Sequence, residues 1–164
     1  MLVFEHTIFS ETVTIHAPIE QVWQVLLDLD AYPQWNPFTW RIGTPEAPDR
    51  CLRMGTPVDL HVRFARRGER LQQERVALLE PPFRLGWGMT LGTPWLLQAL
   101  REQRLDVVDA QVCRYQTWDA FAGVLTPLVV GLFGKDIRDG FNAVAWALKR
   151  EAERRQGLVG AVTC

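Results

Sequence analysis

Cysteine, histidine and tyrosine are scarce: three, three and two among 164 residues. Cys51, Cys113 and Cys164 lie far apart, form no CxxC pair and have no His cluster nearby, so neither a disulfide framework nor a zinc site is expected. That usage fits a reducing, cytoplasmic setting. HExxH and GxSxG are missing, and no glycine-rich phosphate loop follows a strand. Metal hydrolysis, serine hydrolysis and nucleotide chemistry are therefore disfavoured. No apolar run approaches 18 residues, and the first residues lack the basic-then-apolar pattern of a leader, so no integral membrane association is expected. Net charge is small as well: 18 Lys+Arg stand against 19 Asp+Glu, leaving no broad basic face for nucleic acid. Nothing calls for a metal or a cofactor.

What is abundant is apolar aromatic surface, seven Trp and eight Phe. With 48% hydrophobic residues, a chain of this length forms one globular domain that buries roughly two-thirds of its unfolded surface.

Residues 4 to 16 are rich in Thr, Ile, Val and Phe and read as a half-buried strand ending at Ala17-Pro18. Pro18 suits a first helical turn, and Ile19, Val22, Trp23 and Leu26 mark one buried face of a short helix to about Leu29. At most one further helical turn fits between Asp30 and Pro37. The clearest two-residue period is Val58, Leu60, Val62 and Phe64. Strands at 71–80 and 83–89 follow, bent apart by Pro81-Pro82, then 101–108 and 111–121 across a turn at Asp109-Ala110. Gly92 to Leu100 reads as an apolar loop, a lid or a plug. Arg63, Arg66, Arg67 and Arg70 read as a solvated hairpin turn, and His16 and His61 as exposed residues. From Thr126, Val130, Phe133, Ile137, Phe141, Val144, Leu148 and Ala152 follow helical spacing to about Arg155. Gly131, Gly134 and Gly140 predict a less rigid or kinked first half. Residues 1–156 form the domain and 157–164 a frayed, flexible tail. The class is α+β: a curved antiparallel sheet of about seven strands around one long C-terminal helix, with a cavity where the two do not meet.

Several segments carry a family resemblance: Ala17-Pro18-Ile19-Glu20-Gln21-Val22-Trp23, Tyr32-Pro33-Gln34-Trp35-Asn36-Pro37-Phe38, Glu80-Pro81-Pro82-Phe83-Arg84-Leu85-Gly86-Trp87, and Asp119-Ala120-Phe121-Ala122-Gly123. In this order they resemble the START-like (SRPBCC) superfamily, and within it the polyketide cyclase/dehydrase and lipid-transport type. The resemblance implies the helix-grip fold known from the birch-pollen allergen, with a deep apolar cavity between the sheet and the first half of the long helix. It does not imply one activity: similar proteins include aromatase/cyclases, carriers of hydrophobic molecules and hormone receptors.

Alternation then names candidate ligand-binding residues. Tyr115, Thr117, Asp119 and Phe121 share the inward face of the last strand. Leu60, Val62, Leu85, Trp87 and Leu105 come from other strands, Phe133, Ile137 and Phe141 from the long helix, and Trp35 and Phe38 from the mouth. Asn36 beside Pro37 reads as a turn former. Trp118 falls on the outer face, and Trp23 and Trp146 read as helix packing. A buried Asp119 would orient a polar ligand group or shuttle a proton with a raised pKa, unless it simply accepts hydrogen bonds near the strand end. Two readings follow. The favoured one is a module that binds or carries a small hydrophobic or aromatic molecule; the other is an aromatase/cyclase-like enzyme in which Asp119, Tyr115 or Thr117 assists enolisation or dehydration. Oligomeric state is left open, a homodimer included.

Overall fold

The Val58-Leu60-Val62-Phe64 alternation forms strand β4 (Pro57–Phe64), whose four apolar side chains are all buried. The computed structural model describes residues 4–162. Around β4 run β1 (Phe4–Phe9), β2 (Val13–Ile15), β3 (Thr39–Gly43), β5 (Gly68–Glu80), β6 (Arg84–Leu91), β7 (Leu97–Asp109) and β8 (Val112–Gly123). All neighbours are antiparallel, in the order β1-β8-β7-β6-β5-β4-β3, with β2 also on β8. Among the described residues the sheet thus has eight strands, one more than the pattern predicts. The addition arises because the stretch read as one strand from 4 to 16 is broken. The Ser10 hydroxyl oxygen accepts the Thr117 N–H at 3.0 Å, and the Glu11 N–H turns to the Asn142 carboxamide at 2.7 Å.

Helix α1 (Ile19–Leu27) buries Ile19, Val22, Trp23, Val25 and Leu26 on one face. The Tyr32 hydroxyl donates to the Leu26 carbonyl at 2.9 Å, satisfying an acceptor at the helix end. After one tight turn at Leu29–Ala31 comes the single-turn helix α2 (Tyr32–Trp35). Asn36 is the expected turn former: its side-chain oxygen accepts the N–H groups of Phe38 at 3.0 Å and Thr39 at 2.9 Å.

Helix α3 (Thr126–Val162) crosses the sheet. Helical structure continues beyond Arg155 through Val162, where the sequence suggests fraying; residues 163 and 164 of that tail lie outside the described residues. The second half packs tightly, with Val144, Ala145, Leu148 and Ala152 each fully buried. Its small alanines allow close approach. The first half stands off the sheet: Val129, Val130 and Phe133 are only half-buried, and Leu128 and Leu132 face out. Trp146 is likewise exposed, donating Nε1 to Glu11 at 2.8 Å across the surface instead of packing in the core.

The apolar loop expected from Gly92 to Leu100 is much shorter. Leu97 and Ala99 continue the inward alternation of β7 and pair with Leu91 and Met89 of β6, so only Gly92 to Leu96 connects the strands. That connection neither plugs the core nor forms a lid: Trp95 is exposed, and the turn is tied to the start of α3 by Val124 N–H to Trp95 O at 3.0 Å and Leu125 N–H to Leu96 O at 3.1 Å. No helix among the described residues is long and apolar enough to cross a membrane.

Two glycines test this packing in opposite directions. At Gly123 φ is +126° and an added Cβ would lie 2.6 Å from the Leu96 carbonyl oxygen. Gly123→Ala should therefore cost on the order of 3 kcal/mol. At Gly131, inside the helix, an added Cβ meets nothing within 4 Å, so Gly131→Ala should gain up to about 1 kcal/mol through helix propensity. Urea unfolding of the two variants checks both signs.

Candidate functional site

The stand-off between α3 and the sheet leaves a cavity of about 310 Å³. Its apolar walls come from Phe38, from Leu60 and Phe64 on β4, from Met89, Leu97, Ala99 and Phe121 on the sheet, and from Val129, Phe133, Ile137 and Phe141 on α3. Four ionisable groups line the cavity: Glu74 on β5, Arg101 on β7 and Asp119 on β8, and, exposed to solvent, Arg70 on β5.

Arg101 is only 5% exposed. Its Nη1 donates to the Thr39 hydroxyl at 2.6 Å, while Nε has no partner. The guanidinium lies 4.7 Å from the Phe141 ring centroid, 5.6 Å from Phe38 and 5.9 Å from Trp87, so three aromatic faces supply the attraction that solvent would otherwise give. Among the described residues Arg101 forms no salt bridge.

The two carboxyl groups face the same space, and Asp119 Oδ1 and Glu74 Oε2 are buried with no hydrogen-bond partner. Burial pushes the Asp119 carboxyl up to about 7, against the pull of Arg101. Burial, reinforced by the negative charge of Asp119, pushes Glu74 up to about 8, again opposed by Arg101. At neutral pH the site thus holds one carboxyl near half-protonation, Asp119, beside one that is mostly protonated, Glu74, so that a proton acceptor and a proton donor can be present together.

Among the predicted ligand residues, Phe38, Leu60, Asp119, Phe121, Phe133, Ile137 and Phe141 line this cavity. The other seven do not. Val62, Leu85 and Leu105 are buried in the core away from it, and Trp35 packs on Tyr32 with ring centroids 5.0 Å apart. Trp87 reaches the site only from behind, through Arg101. Tyr115 is fully buried, donates to Gln103 Oε1 at 2.9 Å and has its phenol pushed up to about 12 by burial, so it stays protonated. Thr117 donates to the Glu102 carbonyl at 2.8 Å. Alternation assigns all seven except Trp35 to an inward face, but inward positions toward the tightly packed half of α3 are core.

Sequence reading missed Glu74, Arg101 and Thr39. Arg101, the first residue of the strand expected at 101–108, stands two alternations before Leu105, so the alternation of that strand already turns it inward. The arginines of the β4–β5 hairpin are more than a solvated turn: Arg67 and Arg70 stack on Phe133 at 4.9 and 5.7 Å, Arg66 reaches Asp136 and Asp139, and Arg70 lines the cavity. His16 is exposed, His61 is half-buried against Trp40, and Trp118 sits on the outer face against Phe9. Among the described residues no three His, Cys, Asp or Glu side chains gather into a metal-binding group.

The family model described as polyketide cyclase / dehydrase and lipid transport matches residues 6–154. The chain belongs to that family. A curated relative, oxopyrrolidines biosynthesis cluster protein O of Penicillium oxalicum, is 31% identical, with 80% of this chain and 79% of that one covered. The fold is shared with the Zhui aromatase/cyclase of Streptomyces sp. R1128 (TM-score 0.73, 21% identity, 93% and 96% coverage). A START superfamily protein of Mycobacterium smegmatis (0.66, 18%, 91% and 98%) and norcoclaurine synthase of Thalictrum flavum (0.66, 12%, 95% and 99%) share it as well. The curved antiparallel sheet and long C-terminal helix are thus a fold common to these three structures and this chain.

Two predictions follow from the cavity's geometry. The folded protein keeps protons on Asp119 and Glu74 that the unfolded chain releases near pH 4, so these groups remove stability as pH rises from about 4 through their folded values. Asp119→Asn and Glu74→Gln should each gain melting temperature over the unmodified protein between pH 5 and pH 8, by on the order of 5 °C at the upper end. Thermal scans showing no pH-dependent difference would refute this. At Gly140 an added Cβ would lie 2.2 Å from the Phe38 ring, so Gly140→Ala must drive that ring from its place beside Arg101. A loss of on the order of 2 kcal/mol in urea unfolding is expected.

Proposed function

We propose that the cavity binds a small, mainly apolar, ring-bearing molecule with a carbonyl oxygen on Arg101, and that Asp119 and Glu74 transfer protons at the adjacent carbon. The family and the shared fold support a ligand-binding pocket. The observation that carries the reading further is the buried triad: an unneutralised guanidinium and two orphaned carboxyl oxygens around one apolar space. Greasy cargo alone gives no reason to keep three such groups out of water, because each costs folding free energy. In an enolisation, one carboxylate takes the proton α to the carbonyl, Arg101 holds the enolate oxygen, and the other carboxylic acid returns a proton. Between their two midpoints Asp119 is mostly ionised and available as the base, and Glu74 mostly protonated and available as the acid. This is aromatase/cyclase-like chemistry, with Arg101 and Glu74 in place of Tyr115 and Thr117 beside Asp119. Aromatic walls suit a ring.

Carriage without chemistry is the second reading. One observation favours it: among the described residues no Ser, Thr, Cys, Lys or His lines the cavity.

The test uses 2-acetylnaphthalene, an apolar bicyclic ketone, in deuterated buffer. The proposal expects binding and exchange of the methyl protons about 100-fold above buffer. Asp119→Asn should abolish that exchange, and Arg101→Met should weaken binding at least tenfold. Binding without exchange supports carriage; absence of both contradicts both readings.

A further inference from the structure

Arg101 and Asp119 are direct cross-strand partners in the β7–β8 ladder. Opposite charges at such positions have Cβ atoms close enough to pair, and ordinarily do so. Here they do not: the guanidinium bonds to Thr39 on the far edge of the sheet, and Asp119 Oδ1 is left without a partner.

We propose that Thr39 is a positioning residue whose hydroxyl holds the Arg101 guanidinium away from its cross-strand partner Asp119, so that the cavity keeps a cation and a separate carboxyl group. The proposal rests on the reading of Arg101 and Asp119 as the working pair of the cavity. It adds the device that stops them from neutralising each other. Thr39 is fully buried and has little freedom. The Asn36 carboxamide grips the N–H groups of Phe38 and Thr39, the Phe38 carbonyl accepts from the Arg63 N–H at 2.8 Å, and the register shift between Thr39 and Arg41 sets Thr39 apart from the rest of β3. The same turn puts the Phe38 ring over the guanidinium. One short segment therefore both bonds and stacks the arginine.

The charged groups that share the cavity with Asp119 are Arg101 from β7 and Glu74 and Arg70 from β5; the β4 and α3 residues lining it are apolar, and β1 places Ile8 opposite Asp119. Burial is the larger influence on this carboxyl, and Arg101 is the charged group that opposes it. Freed from Thr39, Arg101 can turn to Asp119, its cross-strand partner, and a salt bridge there would stabilise the carboxylate.

The experiment is a carbon-13 NMR titration of the Asp119 carboxyl in the unliganded protein. Thr39→Val keeps the shape of the side chain and removes the hydroxyl; Thr39→Ser keeps the hydroxyl. The expected result is a midpoint near 7 in the unmodified protein and in Thr39→Ser, and a midpoint at least one unit lower, about a tenfold loss of proton affinity, in Thr39→Val. A folded Thr39→Val protein that titrates like the unmodified one overturns the proposal. If Thr39→Val does not fold, the unmodified protein decides. Held at Nη1, Arg101 must give separate, slowly rotating Hη resonances, and a single averaged signal overturns the proposal. No ligand enters either measurement, so a failure to bind or turn over 2-acetylnaphthalene is read separately.

Discussion

A guanidinium buried without a carboxylate is the constraint on which the site depends. The Arg101 guanidinium is accommodated inside the protein by Thr39, which accepts one of its hydrogen bonds, and by Phe38, Trp87 and Phe141, whose π surfaces face it. These four supports come from three parts of the chain: the turn after α2, strand β6 and helix α3. The environment of one side chain therefore ties the edge of the sheet, its centre and the long helix together. The excess of Trp and Phe that distinguishes the composition has a double use, since the rings that fill the core also solvate a cation.

The cavity itself is a consequence of unequal helix packing. Alanines let the second half of α3 descend onto the sheet and α1, whereas Phe133, Ile137 and Phe141 hold the first half away, with Phe64 and Phe38 meeting them from below. Gly140 completes the arrangement by leaving room for the Phe38 ring. Dryness raises the proton affinity of Asp119 and Glu74, and that links architecture to chemistry: the same standing-off that makes space for a ligand makes its acids weak.

Much of the fold was legible because its signals are periodic. The β4 alternation, the Pro81-Pro82 bend, the amphipathic first helix and the long helical repeat each appear where the spacing puts them. Asp119 was legible for the same reason, since the alternation in β8 is unbroken from Cys113 to Phe121. Glu74 was hidden by the register shift between Val76 and Leu78, which breaks the period of β5, and Arg101 by its place at an apparent loop boundary. Thr39 carries no local signal; its partner is 62 positions away. Trp87 and Tyr115 show the converse limit. Alternation assigns them correctly to the inward face, but whether an inward side chain meets a cavity or the core depends on the height of a helix, which no strand pattern contains.

The central claim is that this apolar cavity holds carboxylic acids in their protonated form near neutral pH beside an unpaired arginine. Infrared difference spectroscopy tests it most directly, because a protonated carboxyl has a C=O stretch distinct from that of a carboxylate. A protonated-carboxyl band is expected at pH 6.5 in the unliganded protein, and it should disappear in the Asp119→Asn, Glu74→Gln double variant. A spectrum at that pH containing carboxylate bands alone, unchanged by the double substitution, would contradict it.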